Sequence, residues 1–172
     1  GRWAGQPEEW IKHIVATDRP APLIAPEAIC GVPERTDYKG EVLLPLDEAE
    51  TERAVRHLVD DLKVEAIGVS FLWSFYNSEN ERLARDIVKS VDSSVYVTLS
   101  SEIAPVPGEY ERGSTTVINA YAGRISNEYL TDLKTRVADR GYEDQLMVMQ
   151  GYGGLLPSVE AADRAVGMIE CG

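Results

Sequence analysis

Cysteine is nearly missing from this chain: 172 residues carry two, Cys30 and Cys171, far apart and without C-x-x-C spacing. That excludes a zinc knuckle or a disulfide framework and predicts two reduced thiols. Histidine is as scarce. His13 and His57 both sit in helix-like segments, so a Ser-His-acid triad would need remote residues to meet. No apolar run approaches the roughly 20 residues of a spanning helix, and no leader pattern opens the chain, so a cytoplasmic location without a membrane partner is expected. Basic residues are outnumbered, 17 Lys and Arg against 29 Asp and Glu, for a net charge of -12. Nucleic acid is therefore not expected as a partner, because phosphate tracking rests on clustered cations. A small anion stays admissible, since glycine-loop amides and helix N-termini hold phosphate without net positive charge. A starting Met is also missing, and the chain stops at Cys171-Gly172 within an element, which predicts an internal piece of a longer polypeptide.

What is present alternates. Pro7, Glu8 and Glu9 open a short helix to about Thr17 with Trp10, Ile11, Ile14 and Val15 on one face. The segment from Pro20 to Pro26 reads as an extended connector. Strand-like runs at Ala28 to Arg35 and Glu41 to Leu46 form a hairpin through DYKG, with Gly40 supplying positive φ. Asp47 caps a helix with Glu50 at its third position and Val55, Leu58, Val59 and Leu62 on one face. Val64 to Leu72 is a doubly buried strand, and Asn77 or Ser78 caps a helix burying Leu83, Ile87, Val88 and Val91. Val95 to Leu99 is the next strand, and this order implies right-handed crossovers on a sheet. Past the Pro105 and Pro107 elbow a long helix starts at Gly113-Ser114, turns Ile118, Tyr121, Ala122, Ile125, Tyr129, Leu133 and Val137 inward, pairs Asp132 with Arg136 and ends at Gly141. Gln145 to Met149 reads as a buried strand with GYGG as its exit loop, and Ser158 begins a last helix.

Two places could carry chemistry. Gly151, Gly153 and Gly154 follow a strand, where amides approach a phosphate or substrate closely, although glycine is also the usual turn residue and neither a Walker motif nor G-x-G-x-x-G is present. The elbow offers Glu102, Glu109 and Glu111 as acids and Arg112 as an anion fork beside a helix start. Ser114, Thr115 and Thr116 read as a cap cluster, and Asn119 amid apolar neighbours needs a partner or a cleft. The aromatics Trp73, Phe75 and Tyr76 beside a strand end would suit docking or simple core cover.

VPERTDYKGEVLLPLD (Val32 to Asp47), VSFLWSFYNSENE (Val69 to Glu81), SSEIAPVPGEYERGSTTVINAY (Ser100 to Tyr121) and LMVMQGYGG with AVGMIECG downstream together resemble the hydantoinase/oxoprolinase family of N-methylhydantoinases, 5-oxoprolinases and ketone carboxylase subunits. The resemblance covers nearly the whole chain. It implies an α/β fragment of an actin-like, sugar-kinase-like ATPase fold, mostly parallel strands with crossover helices plus a β-hairpin. Residues 1–99 would end the N-terminal region and 100–172 would open the catalytic region. ATP and Mg²⁺ would serve the parent protein in phosphorylating a carbonyl or amide oxygen of a small substrate, beside a companion subunit. The family's acidic-glycine-threonine phosphate motif is not in this chain, so no nucleotide is expected on this piece alone, nor activity, and no metal ligand is assigned. Glu109, Arg112, Thr115, Asn119, Gly151, Gly153 and Gly154 are the expected cleft residues. The alternative is a noncatalytic subunit-assembly module.

Overall fold

A computed structural model describes residues 7–13 and 21–169, without the side chain of Trp10. Ile14, Val15, the expected helix end near Thr17, and Cys171 lie outside the described residues. The first helix, α1 (Glu8–Lys12), carries Glu8 and Glu9 in its first turn as expected. From residue 21 the connector is irregular until a 3₁₀ turn at Pro26–Ala28.

The hairpin forms, but it is shorter than its sequence run. β1 (Arg35–Thr36) pairs antiparallel with β2 (Val42–Leu44) across a register irregularity. Pro33 lacks the N–H that would extend the ladder backwards, and its carbonyl instead accepts from the Asp47 amide at 3.0 Å. At the tip Gly40 takes φ +82°, and one Asp37 oxygen accepts from the Lys39 and Glu41 amides at 2.8 and 2.9 Å, an Asx-type closure.

α2 (Glu48–Arg56) begins with the expected cap, the Glu50 amide donating to Asp47 Oδ1 at 3.0 Å, and runs into a π-helical turn at His57–Asp61. β3 (Ala66–Val69), α3 (Glu79–Val91) and β4 (Tyr96–Leu99) form a strand-helix-strand unit whose strands pair in parallel, Ala66 opposite Tyr96 through Val69 opposite Leu99. Asn77, not Ser78, supplies the α3 cap, accepting from the Glu79 amide at 3.0 Å. α4 (Ser100–Ile103) leads into the elbow and then α5 (Glu109–Ala138), the longest element. α5 starts earlier than expected: Gly108, at φ +111°, is its N-cap. The hydroxyls of Thr115 and Thr116 therefore donate to the carbonyls of Glu111 and Arg112 one turn back, at 2.7 Å each, and cap nothing.

The parallel pair is the middle of three layers. Ile67, Val69 and Leu99 join Val55, Leu58, Ile87 and Val88 in the main core on the α2–α3 side. The opposite face meets α5 with small and polar groups. A Cβ on Gly68 would lie 3.1 Å from Thr116 Cγ2, and one on Gly123 would lie 2.3 Å from the Tyr96 ring. This inverts the expected orientation of α5. Arg112, Thr116, Asn119, Ala120 and Gly123 are buried, whereas Tyr121, Ile125 and Tyr129 are 83%, 60% and 62% exposed. Close approach to a sheet selects small side chains, and the polar ones on that face find partners there.

Parallel pairing holds for one of the three strand pairs among the described residues, not for most. Gln145 to Met149 is not a buried strand with an exit loop. β5 (Met147–Met149) and β6 (Leu155–Pro157) form an antiparallel hairpin with GYGG at its tip, and Met149 is largely exposed. A connection that short joins only antiparallel neighbours. α6 (Ser158–Asp163) starts where expected, and Ala161 and Ala162 pack with Leu130 in a second, small core before a 3₁₀ turn at Ala165–Met168.

Candidate functional site

The carboxyl ends of β3 and β4 open into the loop 70–77 and the α4 elbow, the place where open parallel sheets carry ligand sites. A buried charge network holds these two segments together. Glu81, on the inward stripe of α3 and fully buried, accepts from the Phe71 amide (2.9 Å), Ser100 Oγ (2.5 Å) and the Ser101 amide (2.9 Å). Arg112, also fully buried, donates to Ser100 Oγ (3.1 Å), the Val106 carbonyl (3.2 Å) and the Phe71 carbonyl (2.7 Å), and its guanidinium lies 5.3 Å from the Phe75 ring centre. Ser100 thus bridges a carboxylate and a guanidinium that are not in direct hydrogen-bond contact. Both charges are compensated by several hydrogen bonds, as burial of ions requires.

That arrangement changes the reading of Arg112, because its Nε, Nη1 and Nη2 all donate inward and the whole side chain is shielded from solvent. Asn119 is likewise fully buried. Its Nδ2 donates to Thr98 Oγ1 and to the Asp163 carbonyl, both at 3.0 Å, and its Oδ1 accepts from the Val166 amide at 2.9 Å, which pins the α6 exit to the sheet. Glu109 stands exposed in the first turn of α5, and Thr115 is half-buried one turn further on. The glycines sit at a separate hairpin tip. The Gly151 amide donates to the Gly167 carbonyl at 2.6 Å and the Gly153 amide to the Gln150 carbonyl at 2.9 Å, while Gly153 and Gly154 take φ of +94° and +92°. Glu109, Arg112, Thr115 and Asn119 therefore share one helix, and the glycines serve a turn.

The sequence reading missed a polar cleft of about 360 Å³ along the outer edge of β4, lined by Arg85, Tyr96, Thr98, Glu102, Asp163 and Arg164. Arg85 holds both Glu102 oxygens, at 2.8 and 3.0 Å. Tyr96 crosses Gly123 and donates toward the carbonyls of Ala162 and Asp163, at 3.2 and 3.4 Å. Desolvation raises the Asp163 carboxyl above the usual carboxylate range, the Glu102 charge adds to this, and Arg164 opposes it. Desolvation also raises the Tyr96 phenol. An acid that keeps its proton to higher pH faces a salt-bridged acid across this cleft. The only local signal was Glu102 at the elbow; Tyr96 and Asp163 are 67 residues apart.

Among the described residues no group of three or more His, Cys, Asp and Glu could hold a metal ion, and no helix is long and apolar enough to cross a membrane.

Two family models match the chain: "Hydantoinase/oxoprolinase N-terminal region" over residues 3–92 and "Hydantoinase/oxoprolinase" over residues 112–172. The acetophenone carboxylase gamma subunit of Aromatoleum aromaticum is 32% identical over 83% of this chain and 20% of its own length. The caprolactamase alpha subunit of Pseudomonas jessenii is 32% identical over 91% of this chain and 23% of its own. The nucleotide-free structure of acetone carboxylase, described as ATP-dependent, superposes with a TM-score of 0.83 at 31% identity, covering 96% of this chain and 24% of that one. The chain thus spans about a fifth to a quarter of the length of these three relatives.

Proposed function

The chain belongs to the hydantoinase/oxoprolinase family, and from that membership we propose that it forms part of an ATP-dependent subunit that activates a carbonyl or amide oxygen of a small molecule by phosphorylation, for hydrolysis or carboxylation. The observation that carries this reading is the likeness, along 96% of the chain, to an acetone carboxylase described as ATP-dependent. The parent is a cytoplasmic enzyme of actin-like, sugar-kinase-like fold working with a companion subunit. Residues up to about Leu99 close its N-terminal region, and Ser100 onward opens the catalytic region.

ATP and Mg²⁺ belong to the parent, and the residues present here do not fit them. The amides of Gly151 and Gly153 and the donors of Arg112 are engaged within the chain, so an anion would have to displace existing bonds. The groups that grip a polyphosphate are therefore assigned outside these 172 residues, and the isolated chain is expected to be inactive. Its own contribution is to brace the loop 70–77 and the elbow through Glu81, Ser100 and Arg112.

The test is ADP release by the intact parent complex with cyclic amides and simple ketones in turn. A several-fold stimulation by one class supports the proposal, and ATP hydrolysis indifferent to every substrate overturns it. The assembly-module reading retains one favouring observation, the ring cluster of Tyr38, Trp73, Phe75 and Tyr76, with centroid spacings of 5.1 to 6.5 Å and Tyr76 67% exposed. Loss of companion-subunit binding in Tyr76→Ser with ATP turnover intact would favour that reading.

A further inference from the structure

An amide side chain buried inside a helix is a costly way to fill space. An apolar side chain of similar volume would pack there without desolvating polar groups, whereas a buried amide fixes one register at the expense of stability. Asn119 is fully buried on α5, and its orientation is determined by its partners. The Asp163 carbonyl can only accept, so Nδ2 faces it at 3.0 Å; the Val166 amide can only donate, so Oδ1 faces it at 2.9 Å. The other Nδ2 hydrogen goes to Thr98 Oγ1 on β4. These partners lie 21, 44 and 47 positions away in the chain, so the amide serves tertiary placement and not its own helix.

About two turns earlier on the same buried face of α5 stands Arg112, which holds the Phe71 and Val106 carbonyls of the loop 70–77 and the elbow. One helix thus grips the carboxyl end of the sheet at its start and the turn after α6 further along. That turn leads into Gly167, whose carbonyl takes the Gly151 amide at 2.6 Å and ties down the GYGG tip. We propose that Asn119 is a positioning residue of the phosphoryl transfer: without touching a ligand, it fixes the turn 163–167 and the GYGG tip relative to the elbow at the carboxyl ends of β3 and β4. This assignment deepens the phosphorylation reading and rests on it. A displacement of about 1 Å caused by a remote substitution can cost about a hundredfold in rate, while the affinity for nucleotide is left alone because Asn119 does not contact it.

Asn119→Asp in the intact parent complex tests this. The new carboxyl has the same shape and still accepts from the Val166 amide, but it offers the Asp163 carbonyl a hydrogen only when protonated. Burial raises the pKa of such a carboxyl, so the lesion deepens as pH rises. The expected result is substrate-stimulated ADP release with kcat about tenfold below that of the unsubstituted complex near pH 8, KM for ATP within about twofold, and a gap that narrows toward about pH 6. Tyr96 on β4 and Asp163 at the end of α6, the titratable neighbours of position 119, are common to both proteins, so the ratio of the two cancels their own titration. An undiminished kcat overturns the proposal, as does a loss equal at every pH or one confined to KM. Should the carboxylate block assembly, Thr98→Val removes the β4 acceptor without adding charge and is expected to lower kcat several-fold at constant KM; an unchanged kcat there overturns the proposal. Absence of substrate-stimulated ADP release in the unsubstituted complex removes the phosphorylation reading and this assignment together, whereas equal stimulation with and without the substitution removes this assignment alone.

Discussion

Arg112 is the residue on which the elbow depends. Its guanidinium satisfies carbonyls at Phe71 and Val106 and shares Ser100 with the carboxylate of Glu81. Arg112→Ala would leave two carbonyls without these donors and a buried carboxylate without its countercharge, at a cost of about 3–5 kcal/mol. Urea denaturation of the chain should show that loss. A variant as stable as the parent would mean that the side chain is not held as described and would return Arg112 to anion binding. Arg112 was legible as a special residue in the sequence, but its role was not, because its partner Phe71 lies 41 positions away. Glu81 stands in the first turn of α3, where an acid is ordinary. The clue was its place on the same helical face as Ala84 and Val88, both buried.

At the level of elements, α5 shows how a helix can defeat a periodicity argument. Its apolar stripe was visible in sequence, yet the face that packs on the sheet is the one carrying Thr116, Asn119 and Gly123. Gly123 makes room for the Tyr96 ring, which reaches across the helix to the carbonyls at the end of α6. Alanine in place of a helical glycine ordinarily stabilises by about 1 kcal/mol. Gly123→Ala is instead expected to destabilise by about 1–3 kcal/mol through overpacking, and Tyr96→Ala in the same chain should cancel that effect. A double-mutant cycle by thermal denaturation checks the coupling, and additive effects would sink it. The hairpin around GYGG carries the same lesson in reverse: glycine spacing was legible, but whether its amides faced a ligand depended on the Gly167 carbonyl, brought within 2.6 Å of the Gly151 amide by the turn that Asn119 pins.

For the whole molecule, α5 is the third layer over the parallel pair, so residues 1–99 alone would expose the face of Gly68, Tyr96 and Thr98. That truncation is expected to lack a cooperative unfolding transition by circular dichroism, whereas the 172-residue chain shows one. A cooperative 1–99 would make α5 an accessory to a self-sufficient unit. The Asp47 and Asn77 caps, the Gly40 and Gly153 turns, the α3 stripe and the order of strands and helices were all settled by short-range chemistry, since a cap or tight turn is satisfied within a few residues of itself. The resemblance to one family rested on those same contiguous runs. Three-dimensional packing alone decided which face of α5 is buried, that Glu81 and Arg112 share Ser100, and that Tyr96 meets Asp163. Each of these pairings depends on the desolvation of groups far apart in the chain, which carries no local signature.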